Sequence, residues 1–139
     1  MSNLLREKHH AIAGTLLFIA GFVALMGIIT AEVYYPSGYT TANSEISDLG
    51  ATRPPNSIIT QPSAVIFNST MILPGIMTII GAYFIFLSYR KLLFNIPFGL
   101  FGLGVLGVGL FPGNVALLHP IFALTTFISG GIAAITSSK

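Results

Sequence analysis

Three long stretches without a charged side chain dominate the sequence, at residues 11–31, 63–89 and 92–138. About 20 predominantly apolar residues are enough to cross the hydrocarbon core of a bilayer. The third stretch is too long for one crossing, and the turn signal Phe111-Pro112-Gly113-Asn114 divides it into two. The sequence therefore predicts four membrane helices and one long outer loop, at about residues 11–31, 63–89, 92–111 and 115–137, with the loop at 32–62.

The low charge content excludes a water-soluble fold. Charged residues make up 7% of the chain, whereas a soluble domain carries roughly 25%. We predict an all-α fold, a polytopic membrane four-helix bundle that forms a single domain over residues 1–139. A cleaved signal peptide is the alternative for the first stretch, but its apolar core would span only about 7–15 residues. The chain has no cysteine, which excludes disulfides and thiolate metal sites.

The basic residues predict the orientation of the helices. Arg53 is the only base in the outer loop, and the other five bases flank the ends of the predicted helices. These five are Arg6, Lys8, Arg90, Lys91 and Lys139. The positive-inside rule then places both termini in the cytoplasm of a multi-pass protein in the cell membrane. The same bases argue against nucleic acid as a partner; they either fix orientation only or also bind anionic membrane lipids.

Polar side chains are predicted to gather on the outer side of this bundle. His119 shares a helix face with small residues such as Ala123 and Gly130, so it is expected to point inward. An ionisable group at membrane depth is costly and is treated by default as part of a functional site. The ligand-binding candidates are Glu32, Asp48, Asn68, His119, Arg53 and Asn114. In the competing interpretation, Glu32 only marks the water interface and His119 donates a hydrogen bond to a loop carbonyl.

Glycines predict where the third helix lies. Gly102 and Gly109 fall on one face, together with Gly99 and Gly113, whereas Gly104 and Gly107 lie roughly opposite. Small residues allow membrane helices to approach closely. The third helix is therefore expected to lie centrally, with a neighbour on each flank.

No catalytic motif accompanies the polar candidates. A metal site from Glu32, Asp48 and His119 has no spacing signature, and a Ser-His-Asp set with Ser47 or Ser69 lacks a nucleophile elbow. We therefore predict no metal, and leave the cofactor unknown and enzymatic activity open. The favoured function is a polar outer-leaflet pocket that binds a lipid headgroup or small ligand; the alternative is a non-catalytic membrane scaffold or assembly subunit. A transporter is disfavoured because no charge lies near a helix midpoint.

Several motifs in this order resemble the DUF998 family of prokaryotic integral membrane proteins, namely AEVYYP, TTANSEISDLGAT, IFN, LGVGLFPGN and LHP. The resemblance implies shared polar positions at Glu32, Tyr35, Pro36, Asn43, Ser47, Asp48, Asn56, Asn68, Pro112 and His119. It implies a membrane fold but no reaction. Longer members have about six crossings, so this chain is expected to be a short four-helix version, either a natural short form or a truncated sequence. If two helices are missing, the pocket would be open on one side, which would favour a homo-oligomer.

Overall fold

Four long helices make up most of the protein in a computed structural model that describes residues 3–36 and 38–138. They are α1 (Asn3–Val33), α2 (Ser63–Tyr89), α3 (Leu92–Leu110) and α4 (Leu118–Ser137). A single turn of 3-10 helix, Ile46–Leu49, which we call the loop helix, interrupts the connection between α1 and α2. The described residues contain no strand. All four long helices are long and apolar enough to cross a membrane, so the predicted all-α membrane fold class is confirmed.

The helix ends differ from the predicted spans at two places. α1 begins at Asn3 rather than near residue 11, because residues such as Leu5 and Lys8 favour helix and nothing in the polar lead interrupts it. α4 begins at Leu118 rather than near residue 115. The intervening residues form a tight turn in which the Val115 N–H donates to the Pro112 carbonyl at 2.8 Å. The apolar length predicts where the chain lies in the membrane, whereas the helix itself continues until a breaker stops it.

The helices are packed in chain order as an open layer. α1 packs against α2, α2 against α3 and α3 against α4, whereas α1 and α4 share at most a marginal contact within the described residues. Both flanks of α3 are therefore covered, as its glycines predict. A Cβ at Gly102 or Gly109 would meet α2, and one at Gly104 or Gly107 would meet α4. The bundle is thus open between its first and last helices.

The α1–α2 connection packs on one end of this layer, which we call the loop end. Leu49 of the loop helix is fully buried and clusters with Ala31 of α1 and Phe67 of α2. The hydroxyl of Ser63, which is also fully buried, donates to the Leu49 carbonyl at 3.0 Å. These contacts attach the connection to the ends of two helices. The connection therefore covers the loop end instead of extending away from it.

Candidate functional site

A cavity of about 420 Å³ lies at the loop end, between the loop helix region and helices α2, α3 and α4. We call it the His119 cavity. Its polar lining comes from Glu45, Ser47, Arg53, His119 and Thr126. Its apolar lining comes mainly from Phe67, Met71, Val105, Val108 and Phe127. The cavity therefore has a polar part beneath the connection and an apolar part between the helices.

His119 is the buried titratable group of this cavity. It stands in the first turn of α4 and is only 2% exposed. Its Nδ1 lies 2.7 Å from the carbonyl oxygen of Phe111, at the end of α3. Because a carbonyl oxygen only accepts, Nδ1 must carry the proton, and the neutral ring then has an acceptor lone pair at Nε2. The competing interpretation from sequence, a hydrogen bond to a loop carbonyl, is thus observed, and Nε2 has no hydrogen-bond partner among the described residues.

An ion pair stands at the edge of the same cavity. Arg53 Nη2 lies 2.8 Å from Glu45 Oε1 and 2.9 Å from Oε2. Both side chains are at least half exposed, so the pair contributes little to stability because water screens it. The ion pair matters for the groups that it offers to a ligand. A cation and an anion lie side by side at the cavity edge.

Asp48 has a structural role outside the cavity lining. Its Oδ2 accepts a hydrogen bond from the Glu45 N–H at 2.9 Å, across the first turn of the loop helix. A side chain that returns to the helix start in this way satisfies a donor that the helix itself leaves free. Asp48 therefore stabilises the loop helix and so positions Glu45 at the cavity.

The acidic candidates Glu32 and Asp48 do not line the His119 cavity, and both act on a tyrosine. Burial raises the pKa of the Tyr39 phenol, and the carboxylates of Glu32 and Asp48 raise it further. Both acids therefore lie close enough to Tyr39 to influence its charge. The Tyr39 ring also packs against that of Tyr35, with centroids 5.4 Å apart. Glu32 and Asp48 thus belong to a second polar group around Tyr39.

The remaining candidates do not line the His119 cavity. Asn68 is half-buried in α2, and its Oδ1 is buried without a partner among the described residues. It lies beneath Gly50, where an added Cβ would contact it. Asn114 is exposed in the turn between α3 and α4. Of the six sequence candidates, only Arg53 and His119 reach the cavity.

Sequence reasoning did not assign Glu45 or Thr126 to the site. For each of the two residues, a sequence feature could have indicated its place in the cavity. Glu45 is one of only three acids near the loop base Arg53, and Thr126 follows His119 by two helical turns. No local sequence feature predicts that Arg53 pairs with Glu45 rather than with Asp48, because this pairing depends on how the α1–α2 connection folds back.

Metal coordination is not supported by this arrangement. No group of three or more His, Cys, Asp or Glu side chains among the described residues is placed to hold a metal ion. The set of Glu32, Asp48 and His119 in particular does not assemble. Ser47 does line the cavity with His119, whereas Ser69 is exposed on α2.

The Tyr39 group predicts a specific pH dependence. The raised pKa means that the folded protein holds the Tyr39 proton more tightly than the unfolded chain does. Its contribution to stability is complete below the ordinary pKa of 10.0 and is lost as the pH rises through the higher folded value. We expect Glu32→Gln to shift this titration towards 10.0, measured by tyrosinate absorbance in detergent, with Tyr39→Phe identifying the transition. A Glu32→Gln titration that matches the wild type would contradict the assignment.

The fold shows which class of protein this chain belongs to. Four apolar helices of membrane-spanning length, packed in an open layer, describe a multi-pass α-helical membrane protein. The family model for DUF998, described as a protein of unknown function, matches residues 10–138, and the chain belongs to this family. Searches of curated proteins and of solved structures gave no match.

Proposed function

We propose that the His119 cavity binds an amphipathic ligand whose polar part carries N–H donors, a lipid headgroup or a small molecule of the same chemistry. One observation carries the proposal. The cavity combines three features: a buried imidazole whose Nε2 has no partner in the described part of the chain, an ion pair at its edge, and an apolar wall. Pockets that combine an apolar lining with a few convergent polar groups are the usual form of a small-molecule site.

The apolar wall supports a ligand that contains hydrocarbon. Phe67 and Met71 of α2, Val105 and Val108 of α3, and Phe127 of α4 form this wall. Phe127 is 79% exposed, so on a membrane helix its ring faces lipid. An acyl chain in the surrounding bilayer therefore reaches the cavity sideways, without leaving the hydrocarbon phase.

The polar lining supports one headgroup chemistry in particular. Arg53 presents N–H donors that suit a phosphate, whereas Glu45 and the Nε2 of His119 accept hydrogen bonds. A phosphoethanolamine headgroup supplies both complements, because its phosphate accepts and its ammonium donates. A phosphocholine headgroup has the same net charge but no N–H. The cavity is therefore expected to prefer the former.

The variant His119→Asn tests this proposal sharply. The asparagine amide N–H can occupy the place of Nδ1–H and keep the bond to the Phe111 carbonyl, while the Nε2 lone pair is lost. We expect the wild type to retain phosphatidylethanolamine over phosphatidylcholine of identical chains in native mass spectrometry. His119→Asn should weaken that retention about tenfold, the factor that one hydrogen bond worth about 1.4 kcal/mol gives.

A matched control separates binding from folding. Ser69→Ala changes an exposed position on α2 and should leave the preference for phosphatidylethanolamine unchanged. Equal retention of the two lipids by the wild type, or an unaltered preference in His119→Asn, would overturn the proposal.

The scaffold alternative is favoured by one observation of its own. The bond from His119 Nδ1 to Phe111 joins the end of α3 to the start of α4, which is a sufficient structural reason for a buried histidine. In that case His119→Leu lowers the thermal unfolding temperature, and neither lipid is preferred. The open layer would then serve a neighbouring subunit, including a second copy of the chain.

We also propose that both termini lie in the cytoplasm of a cell, with the loop end outside. The Arg6 guanidinium lies 5.0 Å from the Tyr89 ring centroid, so the start of α1 and the end of α2 share the end of the layer that is opposite the loop. Arg90 and Lys91 follow Tyr89 directly. Bases concentrated at one end support this orientation by the positive-inside rule.

Cysteine labelling tests the orientation without background, because the chain has no cysteine. We expect Asn56→Cys in the loop to react with a membrane-impermeant maleimide in intact cells. Ser138→Cys should react only after the membrane is permeabilised. The reverse pattern would show the opposite orientation.

A further inference from the structure

A second cavity, of about 320 Å³, lies at the end of the layer opposite the loop. We call it the Lys91 cavity. It is a cleft lined by the end of α2, the start of α3 and the end of α4, and its polar lining comes from Tyr89, Lys91, Asn95, Thr136 and Ser137. The His119 cavity shares none of these residues. The two cavities are therefore separate sites.

Asn95 is the buried polar group of this second cavity. It is 8% exposed, and its Nδ2 donates to the Lys91 carbonyl at 2.9 Å. That bond fixes the amide orientation, because a carbonyl accepts only from the nitrogen. The Oδ1 is then buried with no partner among the described residues. Buried polar atoms are nearly always satisfied, so this oxygen lacks a hydrogen-bond donor.

The Thr136 and Ser137 hydroxyls of the cavity also act as acceptors. Thr136 Oγ1 donates to the Ile132 carbonyl at 2.8 Å, and Ser137 Oγ donates to the Ala134 carbonyl at 2.7 Å. A hydroxyl has a single proton, so once it is donated only lone pairs remain for a ligand. Together with Asn95 Oδ1, these groups favour a ligand that brings its own donors.

The charge at the same place is positive. Lys91 lines the cavity, and the Arg6 guanidinium stands 5.0 Å from the centroid of the Tyr89 ring that forms one wall. His10 stacks on that ring at 4.6 Å and helps to hold α1 there. A ligand that combines a negative charge with hydroxyl donors complements this set of groups.

An apolar groove continues from the cavity along α3 and α4. This groove has a volume of about 480 Å³ and shares Phe94 and Ser137 with the Lys91 cavity. Phe98 and Phe101 form one side, and Gly130 and Gly131 leave room on the other. A hydrocarbon chain attached to a headgroup in the cavity fits this path.

We propose that the Lys91 cavity and the adjoining groove bind an anionic phospholipid whose headgroup carries free hydroxyls, as phosphatidylglycerol does. The phosphate pairs with Lys91, the glycerol hydroxyls donate to Asn95 Oδ1 and the Thr136 hydroxyl oxygen, and an acyl chain lies against Phe98. The headgroup site shares no lining residue with the His119 cavity, whereas the far end of the groove reaches Thr126 and Phe127, which line both.

Native mass spectrometry of the purified full chain tests the proposal with three lipids of identical acyl chains. Phosphatidylcholine lacks the net charge, and phosphatidylmethanol has the charge but no hydroxyl. We expect phosphatidylglycerol to be retained most. Lys91→Gln should reduce its retention about fivefold, the factor for one cation near a membrane surface. Lys8→Gln, a base at the same end of the layer but outside the cavity lining, should not.

The hydroxyl contacts have their own variants. Asn95→Leu should abolish the preference for phosphatidylglycerol over phosphatidylmethanol and leave the preference of both over phosphatidylcholine. Thr136→Val, which keeps the side-chain shape, should reduce the same preference and serves if Asn95→Leu does not fold. Equal retention of phosphatidylglycerol and phosphatidylmethanol by the wild type, or equal losses in Lys91→Gln and Lys8→Gln, would overturn the proposal. His119 lines neither the Lys91 cavity nor the groove, so His119→Asn should leave the preference for phosphatidylglycerol unchanged, and the two proposals fail separately.

Discussion

Replacing Gly75 with alanine is expected to lower the free energy of unfolding by about 2 to 3 kcal/mol, as overpacking of a tight interface does. Gly75 lies where α2 crosses α3. An added Cβ would stand 2.5 Å from the backbone nitrogen of Leu106 and 2.7 Å from its Cα. Because the obstacle is backbone rather than a flexible side chain, it cannot rotate away. The two helices must separate along their contact.

Separation is costly here because membrane helices associate mainly through close packing, since lipid is as apolar as their side chains. The higher helix propensity of alanine offsets only about 1 kcal/mol. The measurement is unfolding in mixed detergent micelles followed by circular dichroism. Gly99→Ala is the control, because nothing lies within 4 Å of a Cβ at Gly99. Equal unfolding curves for the two variants would show that the α2–α3 crossing tolerates separation.

Gly113→Ala is expected to displace the connection from the loop end and to cost about 2 kcal/mol, within the range for an overpacked contact. A Cβ at Gly113 would overlap the carbonyl oxygen of Ala51. Ala51 is 1% exposed and follows the buried Leu49 closely, so it has little freedom to shift alone. The loop helix must move with it, and with it Glu45 and its bond to Arg53.

We expect Gly113→Ala to lose both the hydrogen-exchange protection of the loop amides and the binding of lipid in the His119 cavity. Hydrogen exchange of the amides between Asp48 and Thr52 should accelerate in Gly113→Ala, and retention of phosphatidylethanolamine should fall. Gly131→Ala is the matched control, since a Cβ at Gly131 meets nothing within 4 Å. Unchanged exchange in these loop amides would mean that Gly113 does not hold the connection in place.

The number of membrane helices and the neighbours of α3 follow from apolar length and residue spacing alone. The uncharged run at 63–89 coincides with α2, because its polar flanks leave the membrane and Pro62 and Arg90 bound it. The glycines of α3 indicated neighbours on both sides, and α2 and α4 occupy these positions. The length of a membrane span is a local property of the sequence, and the small-residue face of a helix is a periodic one. Span length depends on bilayer thickness, and a helix face depends only on residue spacing.

Which polar groups contact each other depends on how the chain folds back on itself. The sequence grouped Glu32 and Asp48 with His119, but these acids lie near Tyr39, and Arg53 pairs with Glu45. Asn95 lies in an apolar run, and no local sequence feature indicates that it lines a cavity together with the end of α4. Hydrogen bonds and ion pairs act over about 3 to 4 Å, so their partners depend on the fold of a long connection and on the contact between distant helices. Residue spacing along one helix predicts neither the fold of that connection nor that contact.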